Sequence, residues 1–334
     1  MNIEGEIMRA IIPVAGFGTR LKPHTLTHPK VLLNVGGKPI ISHIVEKLIE
    51  ENITEATFIV GYLGEKIEEY ITSTFPQIKA EYVEQKELLG LGHAIYQAAS
   101  TFNNEEIIII LGDTVFDVDI SKITKFETSS LGVKFVEDPR RFGVAELKNG
   151  FVSKLIEKPT IPTTNLALVG LYFIKNSTLL ATCLKELFDK NIRTNDEYQL
   201  TDALQLMIDK GEIFSTFKVE GWYDCGKPET LLSTNQFILS KNGQNETIDS
   251  VVIIEPVYIS KTATIKNSVI GPFVSIGDNC EILDSVIKNS IINKNSKVEK
   301  MILIDSIIGA DAKVKGSQHK MNVGDSLELE HINN

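Results

Sequence analysis

The sequence predicts an α/β domain built on a mixed β-sheet, followed by a short β-solenoid. Two observations predict the first part. An apolar run at 8–14 leads into a glycine-rich turn, and apolar strands then alternate with amphipathic helices as far as residue 111. A third observation predicts the second part, because aliphatic residues recur every five or six positions from Ile259 onward. A chain of 334 residues is long enough for two domains of about 150 residues each.

The first elements alternate in the order that a largely parallel sheet requires. The continuous apolar run at 8–14 is typical of a fully buried strand. Pro39 suits a first helical turn, and the apolar residues from Ile40 to Ile49 recur on one helical face. Further strands are predicted at 56–60, 78–83 and 106–111, and further helices at 63–75 and 92–101.

The middle of the chain changes character, because helices disappear between 131 and 174 and short strands follow one another. We expect these strands to extend the sheet in an antiparallel or mixed manner and to form its substrate-facing half. Helices return at 177–189, 199–210 and 228–239, and the segment 241–245 is a predicted linker. The predicted parts are a catalytic domain at 8–242, a solenoid at 248–316, an irregular tail at 317–334 and an extension at 1–7.

The last third of the chain carries an internal repeat. Gaps of five or six residues between aliphatic positions are too long for helical heptads and too regular for loops. The tetrapeptide Asn/Asp-Ser-Val/Ile-Ile begins at Asn267, Asp284, Asn289 and Asp305. A hexapeptide solenoid of three to four coils, with roughly 17 residues in each, accounts for this spacing. An ordinary β-sandwich is the alternative.

Composition limits the functions open to the chain. Lys and Arg number 34 against 44 Asp and Glu, so the formal net charge is −10, which argues against a nucleic-acid-binding protein. An anionic substrate therefore requires a local cationic pocket or a metal. The three cysteines form no CxxC pair, so we expect neither a disulfide framework nor a zinc site, and a reducing cytoplasm is the expected location. The first residues lack the basic and long apolar regions typical of a signal peptide, and no run of about 18 apolar residues occurs, so we expect neither a signal peptide nor a membrane span.

The loop after the first strand carries the clearest chemical signal. Glycines in Ala15-Gly16-Phe17-Gly18-Thr19-Arg20 can bring backbone N–H groups close to phosphate oxygens. Arg20 can hold phosphates bidentately, and Lys30 adds a point charge. A dinucleotide-binding GxGxxG loop is disfavoured because Leu21 replaces its third glycine, and the Gly-Lys-Ser/Thr of a Walker A loop is absent. The remaining alternative is a glycine turn with incidental charges.

This loop, with Leu111-Gly112-Asp113 and the segment 222–228 (WYDCGKP), closely resembles the sugar-1-phosphate nucleotidyltransferases. The resemblance is greatest to glucose-1-phosphate thymidylyltransferases and uridylyltransferases with a C-terminal left-handed β-helix. It implies a Rossmann-like, three-layer nucleotidyltransferase domain and Mg²⁺ held by Asp113 and Asp224, which suits the preference of Mg²⁺ for carboxylates and phosphates. It also implies a set of catalytic residues: Arg20, Lys30, Asp113, Lys158 and Asp224.

The resemblance assigns two sets of binding residues. The nucleotide-binding set is Ala15, Gly16, Gly18, Thr19, Arg20, Gln85, Gly90 and Asp113. The sugar-phosphate-binding set is Gly143, Glu157, Lys158, Asn165 and Gly170. Gln85 and Gly90 resemble residues that pair with the uracil or thymine edge, whereas His93 is interpreted as structural. The segment 194–203 resembles another family motif, with Asp196 replacing its glycine, and Lys227 replaces a customary threonine.

The function implied is the condensation of a pyrimidine nucleoside triphosphate, dTTP or UTP, with a sugar 1-phosphate to give a nucleotide sugar and pyrophosphate. Glucose 1-phosphate is the expected sugar substrate. The alternatives are a GTP-dependent mannose-1-phosphate guanylyltransferase, a catalytically silent regulatory subunit, and a bifunctional enzyme whose solenoid transfers acyl groups through His319 or His331. A cytoplasmic homo-oligomer with no nucleic-acid or membrane partner is expected.

Overall fold

The computed structural model describes residues 8–243 and 247–316. Contacts between Cα atoms divide the chain into two units, at 1–237 and 238–334. The predicted extension at 1–7 and the predicted tail at 317–334, with His319 and His331, lie outside the described residues. Each unit has its own hydrophobic core.

The first unit alternates strands and helices before the strands become consecutive. Its strands are β1 (Arg9–Pro13), β2 (Asn34–Val35), β3 (Lys38–Pro39), β4 (Glu55–Val60), β5 (Lys79–Glu84), β6 (Ile107–Ile110), β7 (Thr114–Asp117), β8 (Ser129–Phe135), β9 (Gly143–Lys148), β10 (Phe151–Glu157), β11 (Leu166–Ile174), β12 (Phe214–Lys218) and β13 (Gly221–Asp224). The helices of the chain are α1 (Ile40–Glu50), α2 (Gly64–Thr74), α3 (Leu91–Gln97), α4 (Ile120–Ile123), α5 (Ser177–Asp189), α6 (Leu200–Asp209) and α7 (Pro228–Asn242).

Nine strands form the central sheet. Its main order is β10-β9-β11-β6-β1-β4-β5, and β8 pairs with both β11 and β12. Strand β1 runs parallel to β4 and β6, whereas β11 is antiparallel to β6, β8 and β9. The predicted mixed sheet is therefore confirmed.

Two apolar layers cover the faces of this sheet. The alternation of side chains along β1 sends Ala10 and Ile12 into one core and Ile11 into the other. Helices α1 and α2 contribute to the first core, and α3, α5 and α6 contribute to the second. The unit is thus a three-layer α/β domain. The loops that follow β1 at residue 14 and β6 at residue 111 are available to form a functional site.

The sequence analysis does not predict six short elements: α4 and the strands β2, β3, β7, β12 and β13. Each spans five residues or fewer, which is too short for a periodic pattern to be recognised. The linker prediction is wrong at Lys241 and Asn242, which belong to α7. No glycine or proline precedes Gly243 to end that helix earlier, and Gln244 and Asn245 lie outside the described residues.

Within the second unit, residues 251–315 form a parallel β-helix, as predicted. Its strands are β14 (Val251–Ile253), β15 (Val257–Ile259), β16 (Thr264–Lys266), β17 (Ser268–Ile270), β18 (Val274–Ile276), β19 (Glu281–Leu283), β20 (Val286–Lys288), β21 (Ile291–Ile292), β22 (Lys297–Glu299), β23 (Ile302–Ile304), β24 (Ile307–Ile308) and β25 (Lys313–Lys315). They form three parallel sheets of four strands each. Ile265 lies in register with Ile282, and Ile282 with Val298, so successive coils are 17 and 16 residues long.

The recurring tetrapeptide has a structural explanation at the corners of this β-helix. Asp284 and Asp305 adopt the left-handed conformation, with φ of +48° and +50°, which Asn and Asp tolerate better than most residues. The serine that follows links neighbouring coils, since Ser285 N–H donates to Ser268 Oγ at 3.1 Å and Met301 N–H donates to Ser285 Oγ at 3.1 Å. The pattern therefore satisfies backbone donors at each corner while the aliphatic residues fill the interior.

Candidate active site

The loop that follows β1 is irregular and contains three short 3₁₀ turns. Gly18 has a φ of +63°, and a Cβ atom there would lie 2.9 Å from Thr25 Cγ2. Thr25 Oγ1 in turn donates to the Gly18 carbonyl at 2.9 Å, which holds the turn closed. The next α-helix begins only at Ile40, so the dinucleotide-binding alternative, which requires a helix directly after the glycines, does not hold.

The far side of this loop is anchored to the corner between β4 and α2. The Phe17 ring stacks on Tyr62 with centroids 4.0 Å apart, and Tyr62 Oη donates to the Leu26 carbonyl at 2.9 Å. Lys66 Nζ donates to the Thr27 carbonyl at 2.7 Å. These contacts limit the movement of the loop, while space is open around Gly16, where a Cβ atom would meet nothing within 4 Å.

Lys30 and Asp113 form an ion pair at the end of β6. Lys30 Nζ lies 2.5 Å from Asp113 Oδ2, and Lys30 is buried whereas the Asp113 side chain is 38% exposed. Burial acts to raise the pKa of Asp113, but the Lys30 ammonium and hydrogen bonds from Lys30 and Thr114 hold that pKa below its ordinary value. Asp113 is therefore an ionised carboxylate at neutral pH.

Asp224 is brought to Asp113 by two short strands. Strand β13 pairs antiparallel with β7, so Asp224 lies opposite Thr114, and Cys225 N–H donates to the Asp113 carbonyl at 2.9 Å. Burial and the neighbouring Asp113 charge raise the pKa of Asp224. A Cβ atom on Gly226 would lie 2.9 Å from both Asp224 carboxylate oxygens and 3.0 Å from Arg20 Nη2. The absent side chain leaves Asp224 and the Arg20 guanidinium accessible to a ligand.

The two aspartates suit a divalent cation. Lys30 already pairs with Asp113, whereas the pKa of Asp224 stays raised although the Lys30 and Arg20 charges oppose that shift, so a further cation would stabilise the ionised form of Asp224. Within residues 8–243 and 247–316 no group of three or more His, Cys, Asp and Glu side chains is placed to hold a metal. Mg²⁺ does not need such a group, because it binds through one or two carboxylates together with substrate phosphates and waters.

Two cavities meet at Asp113. The smaller cavity, of about 370 Å³, is lined by the glycine loop and by the residues predicted to bind the base. Among its lining residues are Ala15, Gly16, Lys30, Gln85 and Gly90. The other, of about 540 Å³, is lined by residues of the sugar-binding prediction and by Arg20 and Asp224. Both are also lined by Leu91 and Leu111. The arrangement accommodates two ligands whose ends meet beside the carboxylate pair.

Gln85 belongs to a buried polar network on the wall of the smaller cavity. Its Nε2 lies 3.0 Å from His93 Nδ1 and 3.3 Å from the Gly90 carbonyl oxygen. The loop that carries Gly90 is tied to the segment 194–203, since Gly92 N–H donates to the Tyr198 carbonyl at 2.7 Å and Tyr198 N–H donates to the Leu89 carbonyl at 2.8 Å. The segment 194–203 therefore holds the predicted base-binding loop through these two hydrogen bonds.

In the larger cavity Glu157 is held by a hydroxyl. Thr201 Oγ1 donates to Glu157 Oε2 at 2.6 Å, and Gly143 lies against both groups. Gly143, Glu157 and Gly170 line this cavity. Lys158 is not among the residues that line either cavity, and its Nζ lies 3.4 Å from Glu157 Oε1.

Three other predicted residues do not line the described cavities: Gly18, Thr19 and Asn165. Asn165 Nδ2 donates to the Val136 carbonyl at 2.8 Å and to the Glu137 carbonyl at 3.1 Å. In this structure the amide nitrogen joins the end of β8 to the start of β11. The binding roles of these residues stay predictions.

The larger cavity also contains residues that were not assigned from the sequence. Arg141 and Lys227 add positive charge to its lining, and the Phe142 and Trp222 rings meet edge to face at 4.8 Å. The sequence indicates Lys227 only as a departure from the threonine of the family motif, and Trp222 only as part of that motif. No sequence signal distinguished Arg141 from the adjacent Arg140, which pairs with Asp138 instead.

The chain matches two known protein families. Residues 9–241 match the nucleotidyl transferase family, and this match covers more than half of the chain. The chain belongs to the nucleotidyl transferase family. Residues 253–325 match a second family, the GMPPB C-terminal domain.

Relatives in this family resemble the chain over nearly its whole length. The low-salt glycan biosynthesis nucleotidyltransferase Agl11 of Haloferax volcanii is 31% identical and covers 96% of this chain and 99% of its own. A bifunctional protein GlmU of Methanococcus maripaludis is 36% identical over 91% of this chain and 78% of its own. A glucose-1-phosphate thymidylyltransferase of Streptomyces antibioticus is 29% identical over 97% of this chain and 99% of its own.

Solved structures share the nucleotidyl transferase fold. A UDP-glucose pyrophosphorylase complexed with UDP-glucose has a TM-score of 0.61 at 26% identity, and covers 70% of this chain and 99% of its own. A Bacillus anthracis protein described as a putative glucose-1-phosphate thymidylyltransferase has a TM-score of 0.60 at 25% identity, covering 72% and 98%. None of the helices in the described part of the chain is long and apolar enough to cross a membrane.

Proposed function

We propose that this nucleotidyltransferase condenses UTP or dTTP with a sugar 1-phosphate, giving a nucleotide sugar and pyrophosphate. One observation carries the proposal: two cavities, one beside the glycine loop and one beside Glu157, share Asp113 and bring their ends together at the carboxylate pair. Relatives named for thymidylyl transfer and a structure complexed with UDP-glucose support the same substrate classes. Glucose 1-phosphate is the proposed sugar phosphate.

In the proposed reaction a phosphate oxygen of the sugar 1-phosphate attacks the α-phosphorus of the nucleotide. One P–O bond forms there, and the bond from the α-phosphorus to the β-phosphate oxygen breaks, so pyrophosphate leaves with its charge. The attacking phosphate is mostly dianionic near pH 7, with a second pKa of about 6, so no protein base is needed to activate it. The barrier lies in bringing anions together in line.

The residues of the site lower that barrier by placing positive charge before reaction. Arg20, beside Asp224 and open to the larger cavity, is placed to bind phosphate oxygens bidentately. Lys30 lines the nucleotide cavity and neutralises Asp113. Asp113 and Asp224 would hold Mg²⁺, which supplies positive charge to the reacting phosphates when bound. Lys158 and Glu157 are proposed to contact the sugar phosphate and the sugar hydroxyls.

A pyrophosphate-release assay tests the proposal. Purified protein with Mg²⁺ is given UTP, dTTP, GTP, CTP or ATP, each crossed with the 1-phosphates of glucose, galactose, mannose and N-acetylglucosamine. We expect release with a uracil or thymine nucleotide and glucose 1-phosphate. Release with GTP and mannose 1-phosphate instead would indicate a guanylyltransferase, and absence of release across all combinations would favour a regulatory subunit.

A further inference from the structure

A histidine lies directly behind the predicted base-reading residue. His93 is only 7% exposed and does not line the smaller cavity, whereas Gln85 does. Both ring nitrogens of His93 face glutamine amides, because Gln85 Nε2 lies 3.0 Å from Nδ1 and Gln97 Nε2 lies 3.0 Å from the ring Nε2. Amide orientations and histidine tautomers are assigned from such contacts, so the network must be read as a whole.

The Gly90 carbonyl determines the orientation of the Gln85 amide. A carbonyl oxygen can only accept, so the group 3.3 Å from it must be the amide NH₂ and not the amide oxygen. One N–H of Gln85 therefore goes to Gly90 and the other to His93 Nδ1, which must be unprotonated to accept it. The remaining ring N–H is then on Nε2 and can be donated to the Gln97 amide once its oxygen is turned toward the ring.

The charge state of His93 agrees with this assignment. Burial lowers the pKa of His93, although the Glu87 carbonyl and carboxylate act in the opposite direction. The neutral ring is the form that keeps an acceptor nitrogen. The ring also packs against Phe188, with centroids 5.4 Å apart.

The network leaves Gln85 with one free group for a ligand. Both amide hydrogens are used inside the protein, so the oxygen Oε1, an acceptor, is available to the cavity. The ring N3–H of uracil and thymine and the N1–H of guanine are donors that match it. The unprotonated N3 of cytosine and N1 of adenine are acceptors and would leave two acceptors facing each other.

We propose that His93 is a positioning residue for base selection: by accepting one amide hydrogen of Gln85 it makes the site select bases with a ring N–H and reject cytosine. The proposal rests on the proposed function, since it assumes that the smaller cavity binds the base. It concerns discrimination between bases of equal size, which shape alone separates poorly.

Calorimetric binding of UTP and CTP to the full-length protein with Mg²⁺ tests this inference without requiring turnover. We expect the wild type to bind UTP more tightly than CTP. His93→Phe keeps a ring beside Phe188 but removes Nδ1, and should reduce the UTP/CTP affinity ratio by about tenfold, the effect of one hydrogen bond. His93→Asn, whose Oδ1 can replace Nδ1, should retain most of the ratio.

Phe188→Leu is the matched control, because it removes the ring that packs on His93 and keeps Nδ1. It should lower thermal stability and leave the UTP/CTP ratio unchanged. A wild-type protein that binds the two nucleotides equally, or a His93→Phe ratio equal to that of the wild type, would overturn the inference. Absence of product in the pyrophosphate assay would refute the proposed function alone, because these binding ratios do not depend on turnover.

Discussion

Arg20 is the residue at which charge complementarity is most directly testable. Its guanidinium lies beside Asp224 in the larger cavity, where negative charge from two substrates must accumulate. Arg20→Ala should lower kcat/KM for pyrophosphate release by roughly 10²- to 10³-fold, as expected for loss of one preorganised charged donor. Melting temperature should change little, because Arg20 is exposed.

Lys22→Ala supplies the control for Arg20, since Lys22 is an exposed cation two residues further along the same loop. It should leave kcat/KM nearly unchanged. Wild-type turnover in Arg20→Ala, or an equal loss in both variants, would contradict the role assigned to Arg20.

Gly226 provides a steric test of the same site. A methyl group there would enter the space between Asp224 and Arg20, about 3 Å from both. Gly226→Ala should therefore lower kcat/KM by at least about tenfold, a cost of 1.4 kcal/mol or more in transition-state binding. Steady-state kinetics with UTP and glucose 1-phosphate measure the change.

Gly211→Ala separates this steric effect from backbone strain. Gly211 has a φ of +97° with nothing near its would-be Cβ, so alanine there strains the backbone without entering the site. That variant should lose stability, by about 1 kcal/mol, and keep its activity. Equal losses of activity in the two variants would show that Gly226 matters only for folding.

At the scale of single elements, a buried arginine on β1 joins three neighbouring strands of the sheet. Arg9 on β1 is 1% exposed and pairs with Glu55 on β4 and with Glu81 on β5, the latter at 2.6 Å. The strand order allows both contacts, because Arg9 lies opposite Glu55 on β4, and Glu81 on β5 lies opposite Thr57, two residues further along β4. Periodicity could predict the strands but not this ion pair, since pairing order is a tertiary property.

Helix α1 carries a group whose titration should affect stability. His43 Nε2 lies 2.9 Å from the Val35 carbonyl, and burial, helped by the Lys38 charge, lowers the pKa of His43 to about 4 despite the opposing hydrogen bond to Val35. Between pH 6.5 and about pH 4, His43 binds a proton more readily in the unfolded chain, where its pKa is the ordinary 6.5, than in the folded protein, where its pKa is about 4. Stability is therefore full above pH 6.5 and falls as pH decreases toward 4, by at most about 3 kcal/mol from this group.

Melting of the wild type and of His43→Gln between pH 7.5 and 4.5 tests this dependence. Glutamine can still donate to the Val35 carbonyl but does not titrate. The variant should lose less stability than the wild type over this range. Parallel pH profiles for the two proteins would show that His43 does not contribute to acid sensitivity.

The whole molecule contains separate cores, which allows the two units to be perturbed independently. Ile287 is fully buried among the aliphatic residues of the β-helix. Ile287→Ala should destabilise that unit by about 2–5 kcal/mol through lost burial and a cavity. The thermal transition of the β-helix should move, whereas that of the first unit and its kcat/KM should remain.

Ile302→Ala is the matched control, because Ile302 lies on the next coil of the same sheet and is 74% exposed. It should change stability by less than about 0.5 kcal/mol. A single transition that moves as a whole in Ile287→Ala would contradict independent unfolding of the units. The predicted homo-oligomer stays a prediction, which sedimentation of the full chain addresses.

The sequence by itself determined the architecture and identified the charged motifs that line the cavities. Periodicity of 3.6, 2 and 5–6 residues reports the local geometry of helices, strands and coils, so most elements were placed to within a few residues. The motifs at 15–20, 111–113 and 222–228 contain the charged groups now found around one pair of cavities. These features depend on neighbours along the chain, which sequence patterns describe directly.

Only the tertiary structure decided which residues act together. Asp113 meets Lys30 and Asp224 because β6, the glycine loop and the β7–β13 pair end at one place, although these residues are far apart in the chain. Tertiary packing also brings Gln85 into contact with His93. It places Asn165 and Lys158 outside the linings of the two cavities. Long-range packing selects these partners, and its free energy is a property of the folded chain and not of any local pattern.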